Sequence, residues 1–476
     1  MIYSNPEFFI LYAVTFTAYL LSSSYRARFL TLLFASAFFY AWSGWVDSLI
    51  FAAVIAVSWS STLLAHHYPS RKKAFFTGGV VVMALHLFFW KYAPWLCGET
   101  QKLWPPFLDG ASLNLPLPVG ISFFTLQGIA YLVDYERGQA KYMAFPKYVL
   151  FKSFFAQLVS GPIVRVHELL PQLERLPRPR VADVTEGLGL FARGLFKKLI
   201  LADRTAIYVD MAFKYPSRYD RVSLLMGVLG FTVQIWADFS GYTDMGRGVA
   251  RMLGIHLPEN FKAPYFAKKP SEFWQRWHIT LSQWIRDYIY IPLGGSRGNP
   301  LRVLGVVTLT MVISGLWHGA NWTFLLWGFY HGVLLGMERL ASAHQGCGRV
   351  WARVPTPLRE VLLTVTMFCA TAGGWLLFRA NGLHGLSAYA RHLLSPGGSD
   401  GLPSSMIFLG FALCLALQAL EYYNLVPMLR RQITARLCLS SHAFEFIVGS
   451  GAALLVIASL FFRTSSMSGS FIYFQF

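Results

Sequence analysis

Stretches of mainly apolar residues recur along the whole chain and restrict its fold more than any other feature of the sequence. Most approach the roughly 20 residues with which a helix crosses a bilayer. Hydrophobic residues make up 55% of the 476 residues and charged residues only 13%, so a water-soluble domain of this size could not bury the apolar surface. The sequence therefore predicts an all-α polytopic membrane protein, with residues 1–476 in a single domain of about ten to twelve spans. The apolar stretches lie at roughly 8–22, 29–45, 48–65, 74–90, 118–133, 148–164, 187–202, 222–237, 303–317, 322–338, 360–378, 404–421 and 445–462.

The excess of basic residues follows the pattern of a membrane protein rather than that of a nucleic-acid-binding protein. The 41 Lys and Arg exceed the 23 Asp and Glu, which gives a net charge of +18. Many of them lie in short loops, as the positive-inside rule requires. That rule places loops 23–28 and 66–73 in the cytoplasm, and the N-terminus and the segment from Lys91 to Leu117 outside. We therefore expect contact with membrane lipid and no nucleic-acid partner.

Neither the N-terminus nor the cysteines indicate a secreted, disulfide-linked protein. No Lys or Arg precedes residue 26, and no small-x-small cleavage motif follows residue 22, so we expect a retained first span rather than a signal peptide. The cysteines contain no CxxC pair, which predicts neither a disulfide framework nor a metal site. They are Cys97, Cys347, Cys369, Cys414 and Cys438.

The apolar stretch 148–164 is expected to enter the membrane without crossing it. The loops on both sides, 134–147 and 165–186, are basic, and a full span would place them on opposite sides of the membrane. The stretch also contains Ser160-Gly161-Pro162, irregular backbone that is tolerated at membrane depth only beside protein or a water-filled cavity. The sequence therefore predicts a re-entrant segment.

Residues 271–290 are too polar to cross a bilayer and predict an amphipathic helix at the membrane interface. His278 and Ser282 fall at the border between its two faces, where a side chain can point into a cavity under the helix. The planar guanidinium groups of Arg276 and Arg286 suit a phosphate, although anchoring at the interface also explains the tryptophans. On a helical wheel, the apolar face holds Trp274, Trp277, Leu281, Trp284, Ile285 and Tyr288, and the polar face holds Arg276, Thr280, Gln283 and Asp287.

His318 is the residue at which the sequence most strongly indicates chemistry. It lies between the stretches 303–317 and 322–338, each short for a full span, so two short helices meeting there would hold the imidazole at membrane depth. An ionisable group at that depth is costly unless it faces protein or water. The alternative is a core histidine bonded to a backbone carbonyl. The polar neighbours favour a functional role for His318, whereas His331 fits the core alternative better.

A third polar cluster, from Gln234 to Asp244, ends an apolar stretch. Its central Ser240-Gly241-Tyr242 predicts a broken helix. Asp238 lies deep enough to need a partner. Arg193, Lys197 and Lys198 either supply that partner or extend to the cytoplasmic face of the membrane.

Together these segments resemble the membrane-bound O-acyltransferase superfamily, specifically its bacterial branch of alginate O-acetyltransferase membrane subunits and teichoic acid D-alanyl transfer proteins. The most specific segments are the Arg-Trp-His of residues 276–278 and the Trp-His-Gly of residues 317–319. The likeness covers nearly the whole chain. It extends to Pro118–Phe124, Gln157–Ile163, Tyr290–Gly295, Trp375–Ala380 and Phe471–Phe476.

The resemblance implies a ring of about ten to twelve transmembrane helices, with re-entrant and interfacial helices around a central funnel, in the bacterial cytoplasmic (inner) membrane. His318 matches the family's catalytic histidine, and His278 matches its second histidine on the donor side. The implied reaction moves an acyl group from a cytoplasmic thioester to an acceptor at the outer face.

We expect O-acetylation of an exported polysaccharide, similar to alginate or cellulose, or of a cell-wall glycan. Acetyl-CoA is the expected donor, and no permanently bound cofactor is expected. A neutral imidazole can take the proton of an attacking hydroxyl, and we assign that role to His318; His278 would orient the thioester or relay a proton. The residues expected to bind the donor are Trp274, Arg276, Trp277, Ser282, Trp284, Arg286, Asp238 and Tyr242.

Several alternatives remain open at the level of sequence. The acyl group could pass directly to the glycan, through a covalent intermediate, or through a partner such as a periplasmic SGNH-type acetyl transferase or an accessory subunit. The donor could instead be an acyl carrier protein, as in D-alanylation. In a different class, the intramembrane His, Asp and Arg could form the substrate or proton path of a transporter or flippase.

Overall fold

A computed structural model of the chain describes residues 1–103, 117–159, 161–343, 354–395, 397–436 and 441–461. Within these ranges the secondary structure is helical, as predicted. Two π-helical segments, Lys197–Ala202 and Arg286–Tyr290, follow the α-helices that end at Phe196 and Ile285. Ser160 and the predicted family segment Phe471–Phe476 lie outside the described residues. The helices are α1 Pro6–Leu21, α2 Tyr25–Ala41, α3 Trp45–His67, α4 Lys72–Leu103, α5 Ile121–Glu136, α6 Phe145–Ser153, α7 Val166–Leu173, α8 Val181–Phe196, α9 Asp203–Lys214, α10 Arg221–Met252, α11 Pro270–Arg276, α12 Ile279–Ile285, α13 Pro300–His318, α14 Trp322–Ala343, α15 Thr356–Arg379, α16 Gly382–Leu394, α17 Ser404–Tyr422, α18 Leu425–Arg436 and α19 Ser441–Phe461.

The fold is that of a polytopic membrane protein. Among the described residues, six helices are long and apolar enough to cross a bilayer. They are α3, α4, α10, α13, α15 and α17. Two shorter apolar helices, Pro6–Leu21 and Ile447–Leu460, accompany them. The span of α10 is 72% buried, whereas that of α4 is 11% buried, so α4 presents apolar side chains outward, as lipid contact requires. The larger number of spans and their ring arrangement stay predictions.

The first of two compact units contains the described residues of Met1–Leu195, Tyr242–Pro258 and Glu445–Leu455. Part of its core is aromatic. The ring of Tyr3 stacks on that of Tyr242 at 4.6 Å between centroids and meets Phe8 edge-on at 4.9 Å, both favourable geometries for aromatic pairs.

The second unit contains the described residues of Phe196–Gly241, Glu259–Phe444 and Val456–Phe476. Its helices α13 and α14 run antiparallel and nearly touch. A Cβ atom on Gly328 would lie 2.8 Å from the Cα of Val312, and one on Gly332 would lie 2.6 Å from the Cα of Thr308. Glycines at this spacing let two helix backbones approach closely in a membrane. The contact fixes which side chains of α14 face those of α13.

The broken helix predicted at Ser240-Gly241-Tyr242 is wrong, because α10 continues through these residues without interruption. A glycine inside a helix costs about 1 kcal/mol relative to alanine. The neighbours from Asp238 to Thr243 are all buried, and their packing outweighs that local preference.

The single amphipathic helix predicted over 271–290 is also wrong. The segment forms α11 and α12, which are separated at Trp277 and His278. The backbone of His278 is left-handed, with φ +41°, and this residue changes the direction of the chain. Thr280, predicted on the polar face, is therefore buried at 4% exposure.

The stretch 148–164 does not form a full span, as predicted. Its helix α6 ends at Ser153 after nine residues, a length of about 14 Å, roughly half of the hydrocarbon core. Residues 155–159 then form turns. Re-entry from the same side of the membrane stays a prediction.

Lys198 binds two carboxylates in the interior of the second unit. Its Nζ lies 2.8 Å from Oδ1 of Asp238 and 2.9 Å from Oδ1 of Asp203. All three residues are buried. Lys198 is thus the partner that Asp238 was predicted to need. Removing one member of a buried ion pair is strongly destabilising, because it leaves an uncompensated charge.

We expect Lys198→Met to lower the free energy of unfolding by about 3–5 kcal/mol, since two buried carboxylates would then lose the cation that lies between them. Lys147→Met is the matched control: Lys147 pairs with Glu174 at 2.8 Å, but both side chains are more than 40% exposed, and such pairs contribute about 0–1 kcal/mol. The melting temperatures of the detergent-purified variants measure the difference. Equal shifts would show that the Lys198 cluster does not stabilise the fold.

Candidate active site

His318 is the last residue of α13 and is buried among aromatic rings. His318 is 4% exposed. The ring centroid lies 4.9 Å from those of Trp317 and Trp327 and 5.1 Å from that of Phe378. Helices α13 and α14 are 19 and 22 residues long, and hence longer than the apolar stretches that the sequence showed.

The residues after His318 explain why the chain turns there. A Cβ atom on Gly319 would lie 2.6 Å from Cδ2 of Phe324, so the glycine lets that ring pack closely against the end of α13. The side-chain oxygen of Asn321 then accepts a hydrogen bond from the amide of Thr323 at 3.2 Å, which is how an Asn starts a helix. The Trp-His-Gly motif therefore ends one helix, and the asparagine begins the next.

His278 lies between α11 and α12 in a left-handed conformation that non-glycine residues seldom adopt. Its Nδ1 lies 3.2 Å from Oδ1 of Asn260, and the backbone amide of Thr280 donates to the same oxygen at 3.2 Å. Since this atom accepts from an amide, it is the oxygen of the Asn260 side chain, and His278 Nδ1 must donate to it. Burial lowers the pKa of His278 to about 3. The imidazole is therefore neutral near pH 7 and has its lone pair on Nε2.

Trp317 connects the two histidines. Its ring centroid lies 6.0 Å from that of His278 and 4.9 Å from that of His318. Trp317 is 7% exposed, so its indole is held by its surroundings. The structure thus brings both predicted catalytic histidines to the same side chain.

A cavity of about 450 Å³ lies among α11, α12, α13 and α14. Three residues predicted to bind the donor line it: Trp274, Ser282 and Arg286. Glu338 also lines it and accepts hydrogen bonds from the amide and hydroxyl of Ser271 at 2.7 and 2.6 Å. Glu338 thereby attaches the start of α11 to α14. The sequence analysis missed Glu338, which carries no motif of its own.

Arg276 makes structural contacts instead. Its guanidinium binds Glu272 at 2.9 Å, donates to the carbonyl of Lys262 at 3.1 Å and lies over the ring of Tyr422 at 5.0 Å. These contacts hold α11 to its neighbours. A role of Arg276 in donor binding stays a prediction, as it does for the remaining tryptophans.

The other two tryptophans of the segment belong to the aromatic core. Trp277 stacks on Phe273 at 5.7 Å and meets Trp375 at 4.7 Å. Trp284 lies 5.0 Å from Tyr288. Both tryptophans are at most 5% exposed, and neither lines the 450 Å³ cavity.

Asp238 and Tyr242, also predicted to bind the donor, do not line this cavity. Asp238 binds Lys198, as described above. Tyr242 belongs to the first unit, where it stacks on Tyr3. In that unit Asp244 binds Arg193 through both carboxylate oxygens, each at 3.0 Å.

A larger cavity of about 920 Å³ lies beyond the end of α13, and the sequence analysis missed it. Gly319 and Asn321 are part of its wall. Arg379 binds Asp210 there at 2.6 Å. Arg379 lies in the Trp375–Ala380 segment that the resemblance marked, whereas Asp210 follows no sequence signal. The wall is completed by Phe213, Lys214, Pro216, Ala320, Phe324, Phe378, Ala380, Asn381, His384, Gly385 and Ala388.

His331 is fully buried in α14, stacked on Phe273 at 6.1 Å and 5.2 Å from Trp274 between ring centroids. Neither ring nitrogen has a hydrogen-bond partner within the described part of the chain. His331 therefore lies in the core, as expected. Within the described residues its ring does not bond to a backbone carbonyl, as a typical core histidine would. The small Gly374 leaves room for the ring, since a Cβ there would lie 2.7 Å from His331 Nε2.

Comparison with known proteins identifies the family of the chain. The model of MBOAT, the membrane-bound O-acyltransferase family, matches residues 121–372. The probable alginate O-acetylase AlgI of Pseudomonas aeruginosa is 35% identical over 80% of this chain and 73% of its own. The peptidoglycan O-acetyltransferase of Helicobacter pylori is 30% identical over 100% of this chain and 98% of its own. The teichoic acid D-alanyltransferase of Bacillus subtilis is 28% identical over 60% of this chain and 74% of its own.

The family match covers residues 121–372, which include both histidines and make up more than half of the sequence. Two relatives at 30% identity or more each cover over two thirds of the chain. The chain belongs to the membrane-bound O-acyltransferase family and is a multi-pass membrane O-acyltransferase.

Proposed function

We propose that the protein transfers an acetyl group from cytoplasmic acetyl-CoA to a hydroxyl of an exported polysaccharide or cell-wall glycan, with His318 as the general base. The names of the alginate and peptidoglycan relatives support an acetyl group and a glycan acceptor. The proposed location is the bacterial cytoplasmic membrane. Residues 1–476 would act as one catalytic domain.

The observation that carries this proposal is the position of His318 along the chain, after the α13 residues that line one cavity and directly before the residues that line another. Val307, Met311 and Ser314 of this helix line the 450 Å³ cavity, and Gly319 after it lines the 920 Å³ cavity. His318 lies between these two sets of residues. A base in that position can meet a donor from one cavity and an acceptor from the other.

The smaller cavity suits the donor. Trp274 and Ser282 give it an aromatic wall and a hydroxyl, and the exposed Arg286 lies at its rim. A guanidinium can bind a phosphate with two parallel hydrogen bonds, which fits the phosphates of CoA. His278, whose pKa is lowered to about 3 by burial, would act as a neutral imidazole and accept a hydrogen bond from an amide N–H of the CoA arm through Nε2.

The reaction needs a single base. The acceptor hydroxyl loses its proton to His318 as its oxygen attacks the thioester carbonyl carbon. The tetrahedral intermediate then collapses, the carbon–sulfur bond breaks, and the thiolate of CoA takes the proton from the imidazolium. Such general acid–base catalysis typically contributes about 10²–10⁴-fold in rate.

The larger cavity suits the acceptor. Its wall combines the Asp210–Arg379 pair with Asn321 and Asn381, which offer donors and acceptors to a hydroxyl-rich molecule. The acceptor is the glycan itself or the hydroxyl of a periplasmic SGNH-type acetyl transferase or accessory subunit that relays the group.

Family membership argues against the transporter alternative, since the family is one of acyltransferases. Use of an acyl carrier protein as donor is the remaining alternative. Release of CoA by purified protein supplied with acetyl-CoA separates the two donors, because a carrier-dependent enzyme would not turn over free acetyl-CoA.

We expect His318→Ala to abolish acetyl transfer, leaving at most about one per cent, because no other group would take the hydroxyl proton. The O-acetyl content of the cell-surface glycan in a deletion strain that expresses each variant gives the result. His67→Ala, at an exposed histidine remote in sequence, is the control for expression and should retain full activity. Retention of more than a few per cent by well-expressed His318→Ala would exclude this residue as the base.

We expect Asn260→Ala to lower kcat/KM for acetyl-CoA about tenfold, since the imidazole of His278 would no longer be held in the tautomer that presents its Nε2 lone pair. Loss of one hydrogen bond to the donor corresponds to roughly that factor. Thr280→Val is the matched control, because it removes the 2.9 Å bond from the threonine hydroxyl to the same oxygen and leaves the histidine contact. Rates of CoA release in nanodiscs are compared; equal losses in both variants would contradict the orienting role.

We expect the two cavities to open to opposite sides of the membrane. In a cysteine-free background, an impermeant maleimide added to intact cells should label Asn381→Cys of the larger cavity and not Gln275→Cys of the smaller one, both at exposed positions. Lys72→Cys, in a predicted cytoplasmic loop, should behave like Gln275→Cys. Labelling of both cavities from outside would exclude a cytoplasmic donor.

A further inference from the structure

One face of α13 follows the 450 Å³ cavity and leads to His318. Val307, Met311 and Ser314 line the cavity at intervals of four and three residues, which places them on one face of the helix. His318 follows Ser314 by four residues. Residues at this spacing are neighbours on a helix surface, with about 5–6 Å between their Cβ atoms. Ser314 is therefore the cavity-lining residue of α13 that is nearest to His318 along the chain.

The two hydroxyl groups that α13 presents to the cavity differ in their bonding. The hydroxyl of Thr310 donates to the carbonyl of Val306 at 2.7 Å, as Ser and Thr in helices often do. Ser314 is 1% exposed, and its Oγ has no hydrogen-bond partner among the described residues. A buried hydroxyl without a partner is destabilising, and such groups are rare in folded proteins unless a function requires them.

The facing wall of the same cavity has a second donor of this kind. Trp274 lines the cavity from α11. Its indole Nε1 is buried and likewise has no acceptor within the described ranges. The cavity wall therefore carries one O–H and one N–H donor that have no acceptor among the described residues. A ligand that offers a carbonyl oxygen would satisfy them.

We infer that the Ser314 hydroxyl donates a hydrogen bond to the carbonyl oxygen of the donor thioester and so places its carbonyl carbon beside His318. The inference rests on the proposed function, because it takes the acyl donor to occupy this cavity. When the acceptor oxygen adds to the carbonyl carbon, that carbonyl oxygen becomes an alkoxide, and the proton of the acceptor passes to His318. Collapse of the alkoxide releases the thiolate, which takes that proton. A hydrogen bond to the carbonyl oxygen strengthens as this charge develops.

The test uses two unreactive analogues of acetyl-CoA that differ only at the thioester. Acetyl-dethia-CoA has a methylene in place of sulfur and keeps the carbonyl, whereas S-ethyl-CoA keeps the sulfur and has a methylene in place of the carbonyl. We expect Ser314→Ala to bind acetyl-dethia-CoA about tenfold more weakly, which corresponds to about 1.4 kcal/mol. Its affinity for S-ethyl-CoA should be unchanged. Binding to the full-length protein in nanodiscs is measured by calorimetry.

Thr310→Val is the matched control. It removes a hydroxyl from the same wall, but one that already bonds to its own helix, and should change neither affinity. Ser314→Cys keeps the side-chain volume with only a weak donor and should resemble Ser314→Ala; it decides the matter if the alanine variant does not fold. In turnover, Ser314→Ala should raise KM for acetyl-CoA about tenfold, in line with the weaker binding of the carbonyl analogue, and should lower kcat as well, because the lost hydrogen bond is stronger in the transition state.

Equal affinities of Ser314→Ala and the wild type for the carbonyl analogue would overturn the inference and leave the proposed function intact. Equal weakening toward both analogues would also overturn it, because Ser314 would then shape the cavity without contacting the carbonyl. If the wild type bound neither analogue, acetyl-CoA would not be the donor, and the inference would fail together with the proposed function.

Discussion

The close contact between α13 and α14 is the interaction on which the site depends. Gly328 and Gly332 let the two backbones approach to a distance that a Cβ atom would prevent. Because the helices lie so close, Trp327 of α14 packs against the imidazole at the end of α13, and Glu338 reaches the start of α11. Apolar burial does not distinguish one helix contact from another in lipid, so packing of small residues fixes the pairing.

His278 has a strained backbone conformation that hydrogen bonds from its surroundings hold in place. A left-handed backbone at a non-glycine residue costs of order 1–3 kcal/mol and persists only where its surroundings determine it. At His278 those surroundings are Asn260, which binds the ring, and Asn260's bonds to Thr280, which begin α12. The same asparagine thus fixes the backbone turn and the tautomer of the imidazole, and both are needed to direct Nε2 to one place.

The smaller cavity is lined by α13 and the larger one by residues that follow this helix, and the proposed function assigns one cavity to each substrate. In the proposed mechanism each substrate occupies its own cavity, and the buried His318 at the end of α13 is the base. A dry environment around His318, made of Trp317, Trp327 and Phe378, strengthens the electrostatic interactions of the reacting groups. In the proposed reaction it would also keep water away from the thioester.

The sequence by itself determined the membrane class and the all-α fold, because apolar length is a local property of a chain, and the resemblance of its motifs indicated the family and singled out the two histidines. It did not determine the break of the helix at His278 or the continuity of α10 at Gly241, since in both places contacts with distant residues override local preference. Nor did it separate the donor-side candidates: Trp274, Ser282 and Arg286 line the 450 Å³ cavity, whereas Arg276 and Asp238 do not. Only the tertiary structure decides this, because the direction in which a side chain points depends on how the helices pack.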